Sequence, residues 1–282
     1  MSLTVGKVNR LSVNRMTDIG YMLEDGQEEV FLHFNESDHR NLTPGQQVDA
    51  FLYYDQKGRL AATLKTPIIT VDSQAFLEVT DVITNLGVFL NMGISKELLL
   101  SIDDLPSDIT LWPQVGDMIY SSLKVKNKFV CKIPTKNDIA LKPEIPIELK
   151  TQVNAYVYRY QKEGILLLTP DGHVIFVHHT QIDRPYRLGE SVLVKVVYLS
   201  EQGYSGTLGI QKEVAMIKDA QIIMAYLEKH KQMPLTAQSS SEDIKAYFNM
   251  SRKAFKRALG TLYKAKKIDF IENTTKITNE KI

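Results

Sequence analysis

One block of residues occurs three times in this chain, and that repetition limits the fold more than any other feature. Each copy opens on a glycine that starts an apolar strand. A second apolar strand follows, then a Gly-containing turn, then a long β-rich strand and a polar hairpin. The first copy comprises Gly20–Leu23, Val30–His33, the turn at Pro44-Gly45, and Val48 to Arg59. The second comprises Gly87–Leu90, Glu97–Ser101, the turn Val115–Asp117, and Ile119 to Lys132. The third comprises Gly164–Leu168, Val174–His178, the turn Leu188–Glu190, and Val192 to Thr207. A fixed order with variable loops marks tandem domains, because solenoid repeats keep shorter and stricter periods. Short β-branched runs broken by Gly, Pro, Asn and Asp favour strands over helices. Asp25-Gly26 and Asp171-Gly172 are tight-turn dipeptides between apolar runs, and Asp55–Arg59 and Ser200–Tyr204 read as longer hairpins. Five strands in about 60 residues is the size of a closed OB barrel. Arrays of such barrels usually bind extended polymers.

The character of the chain changes after Lys212. Ile222, Ile223, Tyr226 and Leu227 form a helical stripe. The stretch 231–240, which contains Pro234, reads as a loop. Ser241 is a suitable N-cap, with Glu242 and Asp243 in the first turn where the helix dipole favours acids. Ile244, Tyr247 and Phe248 give that short helix its buried face. Ser251 can cap a third helix running to about Lys266, with Phe255, Leu259 and Leu262 on its core face. Ile268–Ile271 reads as a strand, Glu272 to Thr275 as a turn, and Lys276 onward as the returning strand. Three helices and a hairpin make a winged helix-turn-helix with the third helix in the recognition position.

Charge placement sharpens that reading. Residues 218–282 carry 13 Lys+Arg against 7 Asp+Glu, a net of +6, so the other 217 residues are net −5 within a total of +1. From Ser251 to Ile268 there are seven bases and no acid, namely Arg252, Lys253, Lys256, Arg257, Lys264, Lys266 and Lys267. Helices that need only solubility tend to mix signs, and a basic end is the electrostatic footprint of phosphate contact.

The first copy resembles the RNA-binding S1 domain. That family's pattern of Gly-x-Val, Gly-aromatic, a strand ending in His, a Gly before the fourth strand and Asp-x-x-x-Arg is met by Gly6 and Val8, Gly20-Tyr21, Phe31 to His33, Gly45, and Asp55 with Arg59. The second copy departs from it. Ser101 stands in place of His, and Lys126 to Lys128 in place of the Asp and Arg. The third keeps Phe176 and His178 but lacks the acid–base pair. Three such domains followed by a small helical domain resemble the conserved virulence factor B family of bacterial regulators. That resemblance implies three S1-type barrels, a C-terminal winged helix, and RNA binding without enzymatic chemistry.

The candidate RNA-binding residues follow from these patterns. His33 and His178 either stack on a base or bond a phosphate, or merely close a strand as half-buried polar residues. Tyr21 and Phe176 stand on the neighbouring strand positions. Tyr156, Tyr158 and Tyr160 alternate along one strand, which predicts a single exposed aromatic stripe, although Arg159 then falls on the inner face. Phe89 is either a stacking platform or core, and core is the favoured reading. Arg59 either pairs with Asp55 or reaches phosphate. Arg252, Lys253, Lys256, Arg257, Lys264 and Lys267 form the basic face of the third helix, whose alternative ligand is an acidic protein surface. His178 and His179 are not expected to bind metal, because adjacent strand residues point to opposite faces and no Cys, Asp or Glu stands at ligand spacing.

The lone Cys131 excludes an intrachain disulfide and is expected on a buried strand. No apolar leader opens the sequence, no run approaches the ~20 residues that cross a bilayer, and no phosphate loop, dinucleotide fingerprint or zinc-protease motif occurs. The expected fold is multidomain and mainly β with an α/β C-terminal domain. Three tandem OB-fold barrels at 1–66, 67–135 and 147–212 precede a winged helix at 213–282, with a Pro-rich stiff spacer between halves. The expected function is single-stranded RNA binding in post-transcriptional regulation in the cytoplasm, with translation or RNA-decay proteins as further partners. No catalysis, cofactor, membrane contact or small-molecule substrate is expected. Two rivals stand beside it: a protein-interaction scaffold whose OB folds have lost RNA, and a DNA-binding transcription factor led by the winged helix.

Overall fold

Each barrel starts with a ten-residue strand whose apolar side chains alternate inward until a bulge shifts the register. In the computed structural model, residues 3–278 are described apart from 56, 127, 202, 209, 272 and 273, and residues 210–218 are described by their backbone alone. The first barrel comprises β1 (Val8–Thr17), β2 (Gly20–Glu24), β3 (Glu29–His33), β4 (Gln47–Tyr54) and β5 (Leu60–Thr63). It closes in the order β1-β2-β3-β5-β4, with β3 and β5 parallel. The second comprises β6 (Gln74–Ile83), β7 (Gly87–Asn91), β8 (Glu97–Ser101), β9 (Met118–Val125) and β10 (Phe129–Lys132), ordered β10-β9-β6-β7-β8. Its end strands β8 and β10 lie side by side, so this barrel is nearly closed. The third comprises β11 (Gln152–Gln161), β12 (Gly164–Leu168), β13 (Val174–His178), β14 (Ser191–Ser200) and β15 (Gly203–Thr207), and it closes as the first does.

The glycine that opens each copy has a steric cause. Gly20, Gly87 and Gly164 pair with His33, Ser101 and His178 across the ladder. A Cβ at these positions would stand 2.2, 2.1 and 2.1 Å from the carbonyl oxygens of Leu32, Leu100 and Val177. Only hydrogen fits between the two backbones.

The bulge explains why strict alternation misplaces the tyrosines. In β11 the register shifts between Val157 and Arg159, leaving Tyr158 as the extra residue. Tyr156 and Tyr158 therefore face out of the barrel, whereas Tyr160 turns back against its core. Arg159, expected inside, points out and donates to the carbonyls of Ile133 and Pro134 at 3.3 and 3.1 Å.

The three barrels belong to one compact unit, residues 1–208. Phe51 of β4 meets Phe129 of β10 edge to face at 6.0 Å, joining the first two cores. Between the second and third barrels, the Arg187 guanidinium grips Asp117 through two hydrogen bonds of 3.1 and 3.2 Å. The Pro-rich segment is not a free spacer. Ile133, Ile139 and Leu141 pack on a cluster of Tyr120, Tyr158, Leu166 and Leu168, with Val174 and Phe176 alongside, so the segment lies on the outer face of β12 and β13. Its apolar residues at those positions bury more favourably against the barrel than in water.

The second unit, residues 209–282, is a winged helix. It comprises α1 (Ile210–His230), β16 (Gln232–Met233), α2 (Ser241–Phe248), α3 (Arg252–Lys264), β17 (Ile268–Ile271) and β18 (Thr274–Ile277), with the strands ordered β16-β18-β17. Ile223, Leu227, Ile244, Phe255, Leu259 and Leu262 fill its core, while Ile222 of the expected stripe is exposed. Ser240, not Ser241, caps α2. Its hydroxyl accepts from the Asp243 N–H at 3.1 Å and donates to the Asp243 carboxylate at 2.6 Å, a reciprocal bond that Ser241 is one residue too late to make. Asn249 ends α2 in the left-handed conformation, φ 51°.

Candidate nucleic-acid interface

The residue that ends the third strand of each copy has a local task. His33 Nδ1 accepts from the Asn35 N–H at 3.1 Å, Ser101 Oγ from Asp103 at 3.4 Å, and His178 Nδ1 from Thr180 at 3.3 Å. Each caps a single 3₁₀ turn, so Ser101 substitutes for His in the one role all three share. Capping through Nδ1 leaves the Nε2 edge of both histidines pointing away from the turn. Each also meets a half-buried phenylalanine edge to face: Phe31–His33 at 6.2 Å and Phe176–His178 at 6.3 Å. In the third barrel this edge carries more. His178 ends the strand and His179 begins the 3₁₀ turn, so they escape strand alternation and their rings lie 4.0 Å apart. Glu163 joins them, and the ligand atoms of all three fall within 4.8 Å of one another, within reach of one ion. The expectation that these histidines face apart is thereby corrected.

Arg59 pairs with Asp55 at 2.7 Å while its side chain stays 70% exposed. Although burial pushes the Asp55 carboxyl up, hydrogen bonds from the Arg59 and Lys57 backbone and the guanidinium beside it hold it below the usual range. Arg59 thus stands on the hairpin with room for a further anion.

Four aromatic candidates sit elsewhere than expected. Tyr21 is in the core of the first barrel, its hydroxyl accepting from the Leu42 N–H at 3.3 Å. Tyr158 is 3% exposed, and its hydroxyl donates to the Pro134 carbonyl. Tyr160 donates to Tyr186 O at 2.7 Å. Tyr156 packs on Phe76 of the second barrel with ring centroids 5.0 Å apart. The predicted stripe is therefore a seam between two barrels, where the rings pack and the hydroxyls of Tyr158 and Tyr160 find carbonyls.

Phe89 moves the other way. Val88 and Leu90 enter the core, so Phe89 faces outward opposite Leu99. Together with Val130 it lines a cleft of about 630 Å³ between the Tyr54–Gly58 hairpin of the first barrel and β7, β8 and β10 of the second. Lys96, Lys128 and Lys132 line it beside Asp55, Glu97, Asp103 and Asp104, and Lys132 pairs with Asp104 at 2.7 Å.

In the winged helix, Ser251 caps α3 by accepting from the Ala254 N–H at 3.2 Å. Phe255, Ala258, Leu259 and Leu262 are buried, and 3.6 residues per turn then puts Lys253, Arg257 and Lys264 on the far side, with Lys256 on the flank and Arg252 at the N-terminal end beside the core face. Arg252, Lys253, Lys256, Arg257, Lys264, Lys266 and Lys267 are all exposed. No ion pair involves any of them among the described residues.

Comparison with known proteins matches three of these units. An S1 domain family model matches residues 5–65, the "CvfB first S1-like domain" residues 74–129, and the "CvfB-like winged helix domain" residues 221–277. Conserved virulence factor B of Staphylococcus epidermidis is 33% identical over 97% of this chain and 94% of its own length. This chain belongs to the conserved virulence factor B family. The Staphylococcus aureus N315 member is 32% identical over 97% of this chain and 93% of its own. An uncharacterized Bacillus subtilis protein, YitL, is 36% identical over 95% of this chain and 91% of its own. A crystal structure from Streptococcus pneumoniae TIGR4, described as a multidomain protein with nucleic acid binding domains, is 28% identical with a TM-score of 0.62, covering 97% of this chain and 98% of that one.

The winged helix of this virulence factor B family member also exposes two aromatics outside the expected site, Tyr263 and Phe270. Tyr263 sits on α3 among the bases, and its ring centroid lies 5.3 Å from that of Phe270 on β17. The helical spacing of Tyr263 from Lys256 carried the signal. The approach of Phe270 depends on the turn between helix and strand, which no periodicity reports.

Proposed function

We propose that this chain binds single-stranded RNA and acts in post-transcriptional regulation in the cytoplasm, with no catalytic step of its own. The observation that carries this reading is the exposed side of α3, where Lys and Arg stand without an intervening acid. A face of that composition attracts a polyanion at long range. Membership of the virulence factor B family and the S1-type barrels support a nucleic-acid ligand. So does the pneumococcal relative's description as carrying nucleic acid binding domains. His33 and Arg59 on the first barrel, His178 on the third and Phe89 in the cleft add weak contacts along a strand. Covalent linkage raises their effective concentration, so modest sites sum to useful affinity. Among the described residues, no helix is long and apolar enough to cross a membrane.

The test is a titration with labelled U-rich and A-rich single strands and a DNA duplex at several salt concentrations, repeated on R252A/K253A/K256A/R257A. The expected result is single-strand binding that falls with log salt by ~0.7 per neutralised phosphate and weakens in the quadruple variant. Tighter duplex than single-strand binding, or no binding at low salt, overturns the reading.

A further inference from the structure

The exposed arc of α3 contains two features that charge alone does not explain. One is Gly260. It lies among Lys253, Lys256, Arg257 and Lys264 on the same side of the helix, and a Cβ there would meet nothing within 4 Å. A glycine in an exposed helix interior costs stability without any steric need inside the fold. It leaves the helix backbone open at the centre of the basic face. The other is the aromatic pair. Tyr263 is 53% and Phe270 40% exposed, and their planes are inclined by only 31°. Exposed apolar side chains gathered side by side mark interaction sites more often than single ones do.

Three cations lie between the two rings along the chain. Lys264, Lys266 and Lys267 occupy the turn that carries the chain from one ring to the other. That turn is a Schellman closure: the Lys266 N–H donates to Tyr263 O at 2.9 Å and the Lys267 N–H to Leu262 O at 3.0 Å. Lys266 takes the left-handed position at φ 55°, where glycine is the relaxed choice. Asp269 stands opposite Lys276 in the β17–β18 ladder, and its carboxylate accepts from the Phe270 N–H at 2.8 Å.

We propose that Tyr263 and Phe270 form a stacking subsite on which the winged helix holds a base of a single RNA strand, with the flanking phosphates on Lys264, Lys266 and Lys267. This rests on the RNA-binding reading above and deepens it, because it sets the mode of binding. Base faces are available only in unpaired strands, and the deep narrow major groove of A-form RNA excludes a helix. Stacking accepts any base and adds a non-ionic component to affinity. The winged helix then engages its ligand along the side of α3 toward the wing, rather than by inserting α3 into a duplex.

The competing structural role is a staple that fixes the wing to α3, and the experiment separates the two. Full-length protein is titrated with labelled oligo-U and with a perfect RNA duplex over a salt series. The variants are Y263A/F270A, Y263F/F270Y and the quadruple basic variant, and each is melted in parallel. The expected result is that Y263A/F270A weakens oligo-U binding roughly 5- to 100-fold at every salt concentration. Its log–log slope stays unchanged and its duplex binding is unaffected, while Y263F/F270Y binds as the parent does. The quadruple variant instead flattens the slope. In F270W, oligo-U is expected to quench the added indole emission. Undiminished oligo-U binding by Y263A/F270A beside a weakened quadruple variant overturns the stacking subsite and leaves the RNA reading standing. Equal loss of single-strand and duplex binding together with a lowered melting temperature assigns the rings to the staple and also overturns it. Failure of the parent to bind oligo-U at low salt sinks both.

Discussion

At the scale of single residues, Tyr158 shows most clearly how context reassigns a side chain. Its sequence neighbours predict a wet ring, yet it sits in a seam and donates to a carbonyl. Burial pushes its hydroxyl up to about 12, and Tyr53 is likewise raised to about 12 by burial and by nearby Glu36 and Asp55. Both are neutral in the folded protein at pH values where the unfolded chain already ionises. Their contribution to stability is therefore complete below about pH 10 and is lost as the pH rises toward about 12. Tyr158→Phe is expected to cost about 1 kcal/mol at neutral pH and to reduce, though not abolish, the alkaline loss. Urea unfolding of parent and variant at pH 8 and at about pH 11 checks both, and an unchanged alkaline loss contradicts the assignment. Tyr158 was illegible because one inserted residue reverses every side chain after it, and neither composition nor period announces a bulge. The opening glycines were legible, since their steric cause repeats in three copies. The two histidines were legible as a position, but their capping task was visible only once Ser101 appeared in the same role.

At the scale of elements, α3 was the most readable part of the chain. Its core face, its cap and its basic side all follow from helical spacing, and the structure shortens it by two residues, to Lys264. The lost turn ends at the left-handed Lys266, a conformation that no helical continuation allows. Gly260→Ala is expected to raise stability by about 1 kcal/mol, since the methyl meets open space and the helix gains propensity. Thermal melting measures this directly, and a loss of stability would show that the glycine has a structural task. The Pro-rich segment was misread for an instructive reason. Proline signals extended chain, which is correct, but extended chain carrying Ile133, Ile139 and Leu141 has apolar surface to hide. The prolines determine the conformation and the aliphatic residues determine where it rests.

At the scale of the molecule, the number and order of domains could be read because homologous copies repeat their own punctuation. The joints between barrels could not. Arg187 meets Asp117 across 70 positions, and Phe51 meets Phe129 across two domains. Such pairs have no spacing rule. The same joints set an expectation for dissection. A fragment spanning 133–208 is expected to stay monomeric and to melt higher than one spanning 147–208, which lacks Ile133, Ile139 and Leu141. Differential scanning and light scattering on the two compare them, and equal behaviour would mean that the segment adds nothing. The docked segment thus redraws what counts as a part. Anyone transplanting the third barrel into another protein at its first strand would deliver a piece with an uncovered greasy flank. A recombination event breaking the gene there would do the same. The portable cassette begins well upstream of the barrel, at the last residues of what looks like its neighbour.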